Sequence, residues 1–200
     1  MNNLILVRHG QSHWNKAKRF TGWADIDLTD KGKLEAENAG NLIKSLNIDF
    51  HKYFTSNLKR AKNSLNIILK ILDKPSDKII NSSALNERHY GGLTGLNKDE
   101  TIKKFGSKQV HIWRRSFDIS PPPMSLEHPF KNQINSSIKS ESLKNTFDRV
   151  VPYYNKQIKP LLLSKKNILV VFHGNSCRAL LMEIFNISKE KIVDFEIPTG

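Results

Sequence analysis

Leu4-Ile5-Leu6-Val7 running into Arg8-His9-Gly10 decides the fold, and it has a counterpart near the other end in Ile168-Leu169-Val170-Val171-Phe172 running into His173-Gly174-Asn175. Each is a short apolar run of β-type residues that stops at a histidine-glycine turn. In a sheet of parallel strands the carboxyl ends form the rim where ligands bind, so two histidines far apart in sequence can meet across one pocket. Such a turn holds the imidazole at the pocket floor, while Gly10 lets the backbone approach an anion and the following helix start offers N–H donors. A neutral imidazole nitrogen can attack phosphorus and be released again, splitting one hard transfer into two easier ones. Arg-His-Gly alone is a weak motif, far more often a packed histidine at a turn than a catalytic one. Two copies, each after a strand, point to phosphate chemistry at a histidine.

Outward from these turns, strand and helix signals alternate. Thr29 or Asp30 caps a helix to about Ser45, with Leu34, Ala39, Leu42, Ile43 and Leu46 at mostly helical spacing. Tyr53-Phe54-Thr55 reads as a strand, Leu58 to Leu72 as a helix ending before Pro75, and Ile79-Ile80 as a short strand. Ser142 to about Gln157 reads as a helix that Pro152 bends or splits. Beyond the Ile168 strand come a helix from about Ser176 to Phe185 and a last strand from Asp194 to Ile197. Between Asn86 and about Ser140 the pattern weakens, and Pro121-Pro122-Pro123 argues against regular structure. The expectation is an α/β three-layer sandwich, a mostly parallel central sheet with helices on both faces. Residues 1–200 form one domain, with a lid-like insertion at about 88–140.

Composition sets limits more than it identifies. The 200 residues suffice for a substantial core. The Leu4–Val7 run is too short for a signal peptide or membrane span, and with Cys177 alone no intrachain disulfide forms, so a cytoplasmic location with no membrane partner is expected. A net charge of +13 admits nucleic acid, an anionic membrane or an anionic small substrate. Most of that charge is lysine scattered among asparagine and isoleucine, a solvated surface rather than a patch. Arginine is scarce: Arg8, Arg19, Arg60, Arg88, Arg114, Arg115, Arg149 and Arg178 are all there are. The guanidinium fork suits phosphate and carboxylate, so the arginines say more about the partner than the net charge does.

Several runs then carry a resemblance. Leu6-Val7-Arg8-His9-Gly10-Gln11-Ser12-His13-Trp14-Asn15, Phe20-Thr21-Gly22-Trp23 and Leu28-Thr29-Asp30-Lys31-Gly32 resemble the opening of the cofactor-dependent phosphoglycerate mutases of the histidine phosphatase superfamily. The likeness continues through Thr55-Ser56-Asn57-Leu58-Lys59-Arg60-Ala61, Asn86-Glu87-Arg88-His89-Tyr90-Gly91, Gly95-Leu96-Asn97-Lys98, Trp113-Arg114-Arg115-Ser116 and Glu141-Ser142-Leu143-Lys144. It closes with His173-Gly174-Asn175 and Ile197-Pro198-Thr199-Gly200, so it spans nearly the whole chain. The two histidine motifs mark the superfamily; the middle runs point to the mutase branch. In three places the chain departs from that family: Gln11 stands where Glu is frequent, the Pro121–Ser140 stretch is short, and the family usually continues beyond Gly200.

The resemblance implies interconversion of 3- and 2-phosphoglycerate through a phosphohistidine, a step of glycolysis and gluconeogenesis. 2,3-Bisphosphoglycerate would be the priming phosphoryl donor, and no metal would be needed. His9 would carry the phosphoryl group, with Arg8, Arg60 and His173 holding its oxygens and stabilising the transition state. Glu87 would give and take the substrate proton. Ser12, Asn15, Thr21, Gly22, Tyr90 and Lys98 would line the substrate site together with Arg114, Arg115, Gly174 and Asn175. The partners would be small phosphoglycerates, not a specific nucleic acid, and a homodimer is left open. In-line phosphoryl transfer asks for positioning and positive charge, which a cationic clamp supplies. Cys177 reads as packing, His13, His51, His89, His111 and His128 as surface or supporting groups, and Trp14, Trp23 and Trp113 as pocket walls. A phosphohistidine-type phosphatase of small metabolites would share the catalytic residues but not need Lys98, Arg114 and Arg115. A basic nucleic-acid-binding module would explain the charge alone.

Overall fold

The structure, a computed structural model, describes residues 2–134 and 136–200. Four parallel strands form one sheet in the order β1-β4-β2-β3: β1 (Leu4–Arg8), β2 (Lys52–Thr55), β3 (Ile79–Asn81) and β4 (Ile168–Phe172). β4 lies between β1 and β2 and is buried throughout, which is why its sequence is apolar without interruption. Alternate residues still go to opposite faces. Ile168, Val170 and Phe172 pack with Val150, Ile158 and Leu180 on one side. Leu169 and Val171 pack with Ala39, Ile43, Leu65 and Ile68 on the other.

The helices fill these two layers. α2 (Asp30–Ser45) and α3 (Lys59–Leu72) cover one face; α6 (Leu143–Tyr153), α7 (Lys159–Leu163) and α8 (Gly174–Phe185) cover the other. Thr29 caps α2, its hydroxyl accepting from Gly32 N at 3.1 Å. Pro152 sits inside α6, and the chain widens at Tyr154–Ile158 before α7, a split just beyond the residue that lacks an N–H. β1 and β4 pair Arg8 with Phe172, so His9 and His173 leave the same edge of the sheet side by side.

Two expectations need correction. Asp194–Ile197 is not a strand. Ile192–Asp194 is a short 3-10 turn followed by irregular chain to Gly200. Arginines fix the chain there: Arg178 binds the carbonyls of Ile192 and Val193 just before the expected strand, and Arg8 takes that of Ile197 within it. The weakly patterned stretch holds two helices, α4 (Lys98–Phe105) and α5 (Ser107–Arg115), which pack Val110, Ile102 and Trp113 around Phe20 and Leu93. Residues 117–142 contain no helix or strand among the described residues.

Gly10 has a role besides anion approach. A Cβ there would lie 2.0 Å from the Gly32 carbonyl oxygen, and one on Gly32 would lie 2.1 Å from that of Gln11. The histidine turn thus packs backbone to backbone on the first turn of α2. Gly32→Ala is expected to destabilise the protein by about 1–3 kcal/mol through overpacking, read as a lower urea midpoint. A midpoint equal to wild type would show that the two turns separate freely.

Candidate active site

A cavity of about 220 Å³ opens at the carboxyl edge of β1 and β4. His9, Arg8, Arg60 and Glu87 line it, as do Asn15, Thr21 and Gly22 of the first loop. Tyr90, Lys98, Arg114 and Arg115 come from the 88–115 segment, and Gly174 and Asn175 from the start of α8. Ser12 and His173 are not on its surface. Ser12 is buried and caps α1 (His13–Lys16), accepting from Asn15 N at 3.2 Å, while the Asn15 side chain accepts from Ser12 N. His173 is fully buried, its ring centroid 4.9 Å from that of His9 in an edge-to-face arrangement.

The tautomers follow from the partners. His9 Nδ1 lies 2.6 Å from its own turn's Gly10 carbonyl, so Nδ1 carries the proton and Nε2 the lone pair. That lone pair accepts from Arg60 Nε at 3.2 Å. Arg60 is itself fixed, donating to the carbonyls of Ala24 at 3.0 Å and Gly22 at 2.7 Å. Ser56 Oγ accepts from Leu58 N at 3.1 Å and lies 2.7 Å from His173 Nε2. The buried hydroxyl meets no other acceptor among the described residues, so its hydrogen is assigned to Nε2, which places the ring proton of His173 on Nδ1. That atom is buried and lacks a protein partner, as are Arg8 Nε and Thr21 Oγ1.

Burial first, then the guanidinium of Arg60, holds both imidazoles well below the usual histidine value, so both are neutral at physiological pH. Burial also pulls Arg60 down to about 10, which leaves it charged. Burial pushes the Tyr90 hydroxyl up, but Arg88 and Lys98 outweigh it and bring it to about 8. Glu87 Oε1 accepts from Arg88 N at 2.8 Å and from Asn175 N, on the first turn of α8, at 3.1 Å. These two amides hold the Glu87 carboxyl group at the cavity wall.

The buried histidines carry a linkage consequence. Above pH 6.5 neither folded nor unfolded chain protonates them. Below it the unfolded chain takes up protons that the fold refuses, so stability falls as pH drops. His89, brought down to about 4 by burial, acts the same way. The expected loss is up to about 1.4 kcal/mol per histidine per pH unit below 6.5. Urea midpoints from pH 7.5 to about 5.5 should show it, with a smaller loss in His9→Ala; an equal loss in that variant would remove His9 from the account.

The sequence reading missed part of the wall. Arg19, Phe20, Arg178 and the Phe195–Ile197 segment also line the cavity. Arg115 is paired with Glu196 at 2.6 Å. The signal was the scarcity of arginine. Six of the eight line the cavity. The other two stand behind it, Arg88 donating to the Arg114 carbonyl at 2.7 Å and Arg149 to that of Glu87 at 2.9 Å. None of the tryptophans lines the cavity; Trp14 packs on Phe130 and Trp23 on His89. Cys177 is buried and its thiol is pushed up to about 12, an inert packing group. Among the described residues no group of His, Cys, Asp or Glu could hold a metal ion, and no helix is long and apolar enough to cross a membrane.

Comparison with known proteins adds independent findings. Residues 4–200 match the family model described as histidine phosphatase superfamily, branch 1. The chain is 48% identical over 207 residues to a protein of Hamiltonella defensa named 2,3-bisphosphoglycerate-dependent phosphoglycerate mutase, covering 98% of this chain and 83% of that protein. A Parabacteroides distasonis protein of the same name is 46% identical, covering 100% and 84%. Among solved structures, mycobacterial hydrolase 1 superposes with a TM-score of 0.79 at 17% identity, covering 100% of this chain and 86% of that one. Phosphoglycerate mutase from Bacillus anthracis superposes with 0.68 at 24%, covering 92% and 80%. These likenesses support the three-layer fold.

Proposed function

The chain belongs to the histidine phosphatase superfamily, branch 1, and from that membership we propose that it interconverts 3- and 2-phosphoglycerate, primed by 2,3-bisphosphoglycerate. The names of relatives at 46–48% identity over nearly the whole chain support the mutase reading over a simple phosphatase. The observation that carries it in the structure is the neutral, oriented imidazole of His9 at the floor of an arginine-lined cavity. The donor set fits a doubly phosphorylated acid: buried donors on Arg8 and His173 lack protein partners, and Lys98, Arg114 and Arg115 stand across the cavity.

2,3-Bisphosphoglycerate supplies the phosphoryl group that charges the enzyme. His9 Nε2 attacks phosphorus in line, displacing the Arg60 hydrogen bond from its lone pair, while Arg60 stays anchored by Gly22 and Ala24. Arg8, Arg60 and the His173 Nδ1–H receive the charge that builds on the equatorial oxygens. Glu87, held at the start of α8, protonates the alkoxide that leaves as the P–O bond breaks. The carboxylate so formed takes the proton from the free hydroxyl of a phosphoglycerate substrate when that hydroxyl attacks phosphohistidine. Lys98, Arg114 and Arg115 grip the carboxylate and second phosphate, while Asn15, Thr21, Gly22, Tyr90, Gly174 and Asn175 complete the wall. Ser12 acts through its cap on Asn15. Residues 88–140 serve as the lid that keeps water from the phosphoenzyme.

The test is one assay. The protein is incubated with 3-phosphoglycerate, with and without 2,3-bisphosphoglycerate, and 2-phosphoglycerate is followed against free phosphate. Primed formation of 2-phosphoglycerate is expected; phosphate as the main product would make the chain a phosphatase.

A further inference from the structure

Arg149 lies on α6 behind the cavity wall and does not line the cavity. A guanidinium has five N–H donors in fixed directions, and here each is used. Nε and Nη2 form a bidentate pair with Glu141 at 2.7 and 2.9 Å. Nη1 donates to the carbonyls of Ala84 and Asn86 at 2.8 and 2.9 Å, and Nη2 to that of Glu87 at 2.9 Å. Glu141 in turn accepts from His89 N at 2.8 Å, and its own N–H donates to the His89 carbonyl at 2.8 Å. The side chains are 3% and 17% exposed for Glu141 and Arg149. Trp23 closes the remaining side, its ring 5.8 Å from the Arg149 guanidinium and its indole N–H donating to the Glu87 carbonyl.

Such a pair adds little net stability, because desolvation offsets most of its attraction; its effect is to fix geometry. The geometry fixed is the backbone from Ala84 to His89, and within it Glu87 is the residue whose carboxylate reaches the cavity. We propose that Glu141 and Arg149 are a positioning pair for the reaction, gripping the main chain on both sides of Glu87 so that its carboxyl meets the oxygen of the breaking P–O bond. The inference rests on the reading of Glu87 as proton carrier. As the His9 Nε2–P bond forms and the P–O bond breaks, the departing alkoxide takes the Glu87 proton; a displacement of ~1 Å in such a group can cost about 10²-fold. An aryl phosphate such as p-nitrophenyl phosphate loses its phenolate without a proton. Comparing the two donors isolates proton delivery from folding and from phosphate binding.

The experiment measures phosphoryl transfer to His9 from 2,3-bisphosphoglycerate and from p-nitrophenyl phosphate, in the wild type and in Glu87→Gln, Arg149→Lys and Glu141→Gln. Glu87→Gln is expected to lose about 10²-fold or more with the alkyl donor and only a few-fold with the aryl donor. Arg149→Lys and Glu141→Gln should show the same selective loss, about 10-fold or more. Equal losses on both donors, or none, would make the pair purely structural and overturn the proposal. If Arg149→Lys does not fold, Glu141→Gln, which keeps the side-chain size, decides. A Glu87→Gln variant without selectivity overturns the reading of Glu87 and this proposal with it; selectivity in Glu87→Gln but in neither pair variant overturns the pair alone.

Discussion

Exposed to radiolabelled 2,3-bisphosphoglycerate, the wild-type protein should take up an acid-labile, base-stable phosphoryl group and the His9→Ala variant none. The expectation follows from the state of each nucleophile near the cavity floor. His9 is neutral, its Nδ1–H is committed to the Gly10 carbonyl, and its Nε2 lone pair meets only an Arg60 N–H that a phosphoryl oxygen can claim instead. His173 has its lone-pair nitrogen bound to Ser56. Cys177 is held as a thiol by burial, and the Ser56 hydroxyl is committed to His173 and Leu58. Among these groups of the cavity floor no second nucleophile stands ready, and a phosphoryl group on the Tyr90 hydroxyl would be stable to acid, so the loss of the acid-labile label should be complete. Label retained in His9→Ala, or a label stable to acid, would overturn the phosphohistidine.

What was legible in the sequence depended on how local its cause is. β4 was legible because burial on both faces writes an unbroken apolar run, β1 because its alternate residues pack partly on both layers, and α3 because one-sided burial writes a helical stripe. α2 was legible from its cap and not from its stripe, since Leu34, Leu42 and Leu46 are exposed and its buried face is Gly32, Ala36, Ala39, Gly40 and Ile43. The histidine pair was legible because two strands ending in the same turn share an edge once paired. The misread strand at Asp194–Ile197 shows the limit: alternating apolar residues look alike whether their carbonyls meet a neighbouring strand or, as with that of Ile197, an arginine side chain. α4 and α5 left a faint pattern because Ile102, Val110 and Trp113 cover a small cluster around Phe20, while Lys98 and Arg114 must face the cavity. Arg19 and Arg178 fell outside the weighted motifs, yet their residue type marked them. The lysines followed composition and the arginines followed the site. The Gly10–Gly32 contact had no local signature, since it joins two turns that meet only in three dimensions.

His173→Ala should fold and accept substrate yet lose about 10²–10³ in turnover, the usual cost of deleting one donor aimed at developing charge. The argument is the unequal treatment of its two ring nitrogens. Ser56 occupies Nε2, which leaves Nδ1–H buried and unpartnered beside His9. A buried donor with no acceptor is costly in a resting protein, about 1–3 kcal/mol, unless something else uses it. A transferring phosphoryl group would use it, and a donor fixed for the in-line transition state meets the equatorial oxygens best in that geometry. The loss should therefore appear in kcat more than in KM. Removing the ring also leaves a cavity beside His9, so thermal unfolding of the variant must be measured alongside. A Tm near wild type with collapsed kcat assigns His173 to the transition state; a collapsed Tm with proportionate activity in the folded fraction assigns it to packing.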